Sequence, residues 1–122
     1  MGIDVNGIIA YGINLTEDQV YDLDQNCEDG IYEKFDELFV SWPDSNPKYP
    51  NLEAVAFGSH EYPDWVIAIK VYYSDDWQAS EFPQIGFTLD QKDIVLLKTL
   101  KEFCEDYDIT YEPKWYFGGQ YR

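Results

Sequence analysis

The side chains able to do chemistry in this 122-residue chain are mostly carboxylates: 24 aspartates and glutamates face 8 lysines and arginines, for a formal charge of −16. Nine of them crowd into one stretch, where Glu17, Asp18, Asp22, Asp24, Glu28, Asp29, Glu33, Asp36 and Glu37 are opposed by Lys34 alone. Asp18 and Asp22, Asp29 and Glu33, and Glu33 and Glu37 are each four apart, so on a helix they are neighbours. Like charges at that spacing cost a helix about 0.2–0.5 kcal/mol per pair. A surface charged only for solubility mixes its signs. Carboxylates about 5–6 Å apart on a rigid helix instead imitate the phosphates of a nucleic-acid strand. They suit a basic groove built for that strand, whose counterions phosphates would otherwise displace. Asp18, Asp22, Asp29, Glu33, Asp36 and Glu37 are the expected contacts.

Other chemistries fit less well. Asp22, Asp24, Asn26, Glu28 and Glu33 stand at positions 1, 3, 5, 7 and 12 of a calcium-binding loop, but Cys27 replaces the glycine of its sharp turn. His60 is the one histidine; it lies in a predicted loop with Glu61 and Asp64 nearby, without the partners a catalytic base or a metal site needs. No serine sits in a G-x-S-x-G elbow, and no glycine-rich turn between strand and helix cradles phosphate. No metal or cofactor is expected, and the chain reads as non-catalytic. Trp77, Phe82, Trp115, Tyr116, Phe117 and Tyr121 form an aromatic set. Core packing claims part of it, while Trp77, Trp115 and Tyr116 are the expected anchors of a partner contact, where such residues concentrate binding energy.

These groups need a scaffold, and hydrophobic spacing supplies one. Residues 52–73 read as two β-runs with a break between them, an antiparallel hairpin with a longer loop. Strict alternation puts Trp65, Ile67, Ile69, Val71 and Tyr73 on one face, and Val66, Ala68, Lys70 and Tyr72 on another that is only partly covered. The first run places Val55 and Phe57 opposite Ala54, Ala56 and Gly58. Residues 5–13 form a first strand, with Gly7 or Gly12 marking a bulge or close approach. Thr16 and Gln19 match a capping box with Leu15 and Val20 at the staple positions, so a short helix opens at Thr16 and fades by Gln25.

A second helix is expected over 28–40 from the spacing of Ile31, Phe35, Leu38 and Phe39. Pro43, Pro47 and Pro50 then enforce a stiff connection. Thr88 with Gln91 predicts the start of the longest helix, to about Tyr107, with Ile94, Leu97, Leu100, Cys104 and Tyr107 as its apolar stripe. Residues 109–121 form the last strand, with Pro113 at an edge or bulge and Gly118-Gly119 fraying. The order is β-α-α-β-β-α-β: one α+β domain over 1–122, about three helices layered on a small, mostly antiparallel sheet of about four strands.

Composition bounds the rest. At 45% hydrophobic and 18% aromatic the chain is no disordered acidic tail. No apolar run reaches the roughly 20 residues of a membrane span. The opening MGIDVNGIIAYG lacks a basic leader, and Asn6 interrupts the myristoylation pattern. Cys27 and Cys104 read as reduced thiols in the cytoplasm. The charge repels nucleic acid and anionic membranes and attracts a basic surface. In composition the chain is similar to two kinds of small inhibitor: phage anti-defence proteins that act on restriction or CRISPR machinery, and immunity proteins of nuclease toxins. That likeness implies a basic, nucleic-acid-handling partner blocked by charge mimicry. The competing expectation is a protein–protein adaptor or structural accessory whose acidity serves solubility.

Overall fold

The computed structural model describes residues 5–25, 28, 30–39, 47–58, 63–74 and 89–121. Four strands and three helices follow the expected order: β1 (Val5–Asn14), α1 (Glu17–Gln25), α2 (Ile31–Phe39), β2 (Glu53–Phe57), β3 (Asp64–Ser74), α3 (Gln91–Asp106) and β4 (Lys114–Tyr121). All strand pairs are antiparallel, in the order β2-β3-β1-β4. The long β1 and β3 form the centre, and β2 and β4 the edges.

Local chemistry explains each helix start. At α1 the Thr16 N–H donates to Gln19 Oε1 at 2.8 Å and the Gln19 N–H to Thr16 Oγ1 at 3.2 Å, the reciprocal box expected from sequence. Helix α2 begins at Ile31, three residues later than expected, because Gly30 takes φ +92°, a conformation that stops a helix from extending back through it. Helix α3 is capped by Asp90, not Thr88, which lies outside the described residues. The Asp93 N–H donates to Asp90 Oδ1 at 3.0 Å and the Asp90 N–H to Asp93 Oδ2 at 2.9 Å. Two aspartates three apart thus do what Thr88 and Gln91 were expected to do, and Gln91 becomes the first helical residue.

The helices cover one face of the sheet. There Phe35, Leu38 and Phe39 of α2 and Leu100, Phe103 and Cys104 of α3 bury against Ile13, Trp65, Ile67 and Ile69. The Phe35 and Trp65 rings meet at 4.7 Å, and Phe39 and Phe103 at 5.5 Å. The other face, expected to be partly covered, is buried as well: Ile8, Ala10, Val55, Val66 and Ala68 form a second cluster with Phe57 and Tyr116 packed on it. The sheet curls over this face until its two edge strands meet, the Gly58 N–H donating to the Gly119 carbonyl at 2.8 Å. The small side chains Ala10 and Ala68 leave room for the curl.

A bulge corrects the expected alternation in β3. Tyr11 pairs with Lys70 but Gly12 with Ala68, so Ile69 is an extra residue opposite β1. One inserted residue turns every later side chain to the other face. Val71 therefore packs on the second cluster, not beside Trp65, while Lys70 turns towards the helices and reaches Asp93 of α3. Gly12 is the glycine the bulge requires: a Cβ there would lie 2.0 Å from the Ile67 carbonyl oxygen.

Two further expectations change. Ile94, placed in the α3 stripe, is 52% exposed, and Asp93 takes the inward position instead. Strand β4 starts only after Pro113, and Gly118 and Gly119 pair fully with Ile8 and Gly7 instead of fraying.

Candidate functional site

Helices α1 and α2 carry the acidic stretch and pack against each other. Each buries one stripe and turns the rest outward. On α1 Leu23 is buried, with Val20 half-buried, so Asp18 and Asp22 lie on the opposite, exposed side with Tyr21. On α2 Phe35, Leu38 and Phe39 are buried, leaving Glu33, Asp36 and Glu37 exposed. The described members of the expected contact set are thus all exposed, on two helices that pack together. Lys34 reaches these acids, its Nζ 3.9 Å from Glu37 Oε1. At that distance, with Glu37 63% exposed, the pair holds little of the charge back. Asp29 lies outside the described residues.

The aromatic anchors divide. Trp77 lies outside the described residues. Trp115 packs against Tyr11 with ring centroids 5.0 Å apart and planes tilted by 52°, on the helix side of β4. Its neighbour Tyr116 faces the other way, onto the second cluster. Both stand on β4, at the opposite edge of the sheet from β2, against which α2 packs. Tyr21 and Tyr32, 63% and 56% exposed, are the aromatic side chains that sit among the acids. Tyr21 stands three residues after Asp18 and Tyr32 four before Asp36, helical neighbours visible in the sequence.

Asn26, Cys27 and Asp29 of the calcium-loop spacing lie outside the described residues. Helix α1 runs through its first four positions, and α2 through Glu33. A helix turns about 200° in two residues, so Asp22 and Asp24 diverge. Among the described residues no three histidine, cysteine or acidic side chains converge. His60 lies outside the described residues; Asp64, in the same sequence stretch, accepts from Asn14 Nδ2 at 2.8 Å. Cys104 is a free thiol buried in the core, and burial pushes its pKa up to about 11. Cys27 lies outside the described residues.

A hollow of about 790 Å3 lies beside α2 and β2, a feature sequence reasoning missed. Tyr32, Phe35 and Asp36 of α2 form one wall, and Trp65 stands at its base, with the Tyr32 ring edge-on to it at 5.3 Å. Leu52, Glu53, Ala54, Val55 and Ala56 all line it. Alternate strand residues point to opposite faces, so a hollow touching all five follows the strand's edge.

Among the described residues no helix is long and apolar enough to cross a membrane. No protein-family model matches this sequence, and neither the curated proteins nor the solved structures yield a match.

Proposed function

We propose that this protein is a non-catalytic inhibitor whose acidic α1–α2 surface docks in the basic site of a nucleic-acid-handling protein and excludes the nucleic acid. The observation that carries this reading is the common exposure of Asp18, Asp22, Glu33, Asp36 and Glu37 on two helices packed together. Buried stripes on both helices fix the backbone beneath them, so the charges are held before the partner arrives. Like-charge spacing that costs helix stability, as between Glu33 and Glu37, is retained where it serves binding. A net charge of −16 steers a basic partner towards this surface and speeds encounter. Exposed Tyr21 and Tyr32 among the acids supply faces for arginine or lysine. Phage anti-defence proteins and nuclease-toxin immunity proteins work in this manner, and we favour the phage kind.

Capture of host proteins at low salt tests the proposal. The retained proteins should be nucleic-acid-binding, and both raised salt and Glu33→Lys with Glu37→Lys should release them. Retention that ignores salt and the charge reversal contradicts it and favours an adaptor.

A further inference from the structure

We propose that the hollow along β2 binds an extended peptide segment of alternating basic and apolar residues, added to the sheet as a fifth strand. Strand β2 is an edge strand. Among the described residues, the backbone bond across that edge is the one from Gly58 to Gly119, at its end. The amides and carbonyls of such an edge are a template for another strand. The central β3, with eleven residues, outruns the five of β2, so the hollow continues along β3 past Ile69 to Tyr73.

Its two walls differ, and the difference specifies the occupant. On the helix side stand Phe35 and Trp65, fit for apolar side chains. On the other side Glu53 lies within 3.4 Å of the Tyr73 hydroxyl, an acid beside an aromatic ring that suits a lysine or arginine. Among the described residues, the carboxylates lining the hollow are Asp36 and Glu53, and no lysine, arginine or histidine lines it. A strand residue alternates between these walls, so a bound segment should alternate apolar and basic. A second copy of the chain is the less suitable occupant, because each copy carries −16 and would bring Glu53 against an acidic edge. This site shares Asp36 and Tyr32 with the outer helical surface, whereas Glu53, Tyr73 and the β2 backbone belong to it alone.

A capped octapeptide of alternating lysine and valine, titrated at low salt into the full chain, tests the proposal. The amide resonances of residues 53–57 should shift, and their hydrogen exchange should slow. A peptide of the same composition with its four lysines and four valines in blocks should bind more weakly. Asp36→Lys with Glu53→Lys should weaken binding by about tenfold. Glu33→Lys with Glu37→Lys changes the net charge equally, and should leave binding within about twofold. Equal weakening by both pairs, equal binding of the block peptide, or unmoved 53–57 amides would overturn it. So would the same amide shifts appearing without peptide as protein concentration rises, which would mark a second copy as the occupant. The wild-type amide map decides the matter even if the Asp36→Lys, Glu53→Lys variant fails to fold.

Discussion

Lys70 Nζ lies 3.0 Å from Asp93 Oδ2, joining the bulged turn of β3 to the first turn of α3. The two side chains are 15% and 9% exposed. Each breaks the hydrophobic pattern of its element, and the two breaks meet. The same Asp93 oxygen accepts the Asp90 N–H, so one carboxylate closes the helix cap and neutralises the strand's cation. The hydrogen bond to Asp93 raises the Lys70 pKa despite partial burial. Removing the carboxylate with Asp93→Ala takes away the anionic partner of the ammonium beneath the helix and leaves it against Tyr72. That should cost about 3 kcal/mol, at the low end for breaking a buried pair. Lys70→Met removes the cation and keeps the cap, and should cost less. Urea unfolding midpoints of the two variants check the order; a milder effect for Asp93→Ala contradicts the shared role.

The same pair shows what the sequence revealed and what it withheld. Helix α1 was legible to the residue, because Thr16 and Gln19 are a local device that needs no distant partner. The start of α3 was misread because Thr88 with Gln91 and Asp90 with Asp93 offer the same spacing, and Lys70, a neighbour only in space, favours the second. The inward turn of Lys70 was hidden because it depends on Ile69 being the extra residue between the Tyr11–Lys70 and Gly12–Ala68 pairs, a fact of register between two strands. Exposure of the acids on α2 followed from the Phe35 stripe. The hollow did not, because it exists only where β2 is an edge, and strand order is not written locally.

Gly12 leaves no room for a side chain. Gly12→Ala puts a methyl group against the Ile67 carbonyl and the Ala68 backbone, neither of which can swing aside. The expected cost exceeds about 3 kcal/mol, among the severe effects of single substitutions. Thermal unfolding by circular dichroism measures it, and a variant melting within a few degrees of wild type contradicts the close approach.

Tyr49 and Asp106 lock the segment after α2 to the end of α3. The Tyr49 hydroxyl donates to Asp106 Oδ2, and Lys48 Nζ lies 3.2 Å from the same oxygen. The Tyr49 bond, then the Lys48 contact, hold the Asp106 pKa below its ordinary value. A carboxylate lowered in the folded state adds stability above its unfolded pKa of about 3.9, lost as pH falls through the folded value. Tyr49→Phe should cost about 1–2 kcal/mol near neutral pH. It should also flatten the fall in stability below about pH 4. Urea titrations of both proteins across that range check both effects, and parallel acid profiles contradict the coupling.

Cys104 should resist alkylation in the folded protein. Its thiol is fully buried, with burial raising its pKa to about 11. At pH 8 the thiolate fraction is then on the order of 0.001, before access is considered. Its native form adds stability in full below the unfolded thiol pKa of about 8.5, and that stability is lost as pH rises towards the folded value. Peptide mapping after iodoacetamide treatment should find Cys104 unmodified until urea unfolds the chain. Prompt modification at pH 8 without urea contradicts its burial.

The central claim is that the α1–α2 surface takes the place of a nucleic-acid strand on its partner. The direct measurement is displacement: labelled nucleic acid bound to the captured partner, titrated with this protein at several salt concentrations. The account predicts stoichiometric release that weakens steeply as salt rises, and that Glu33→Lys with Glu37→Lys abolishes. Simultaneous occupancy of the partner by nucleic acid and this protein, or release unchanged by the charge reversal, would contradict it.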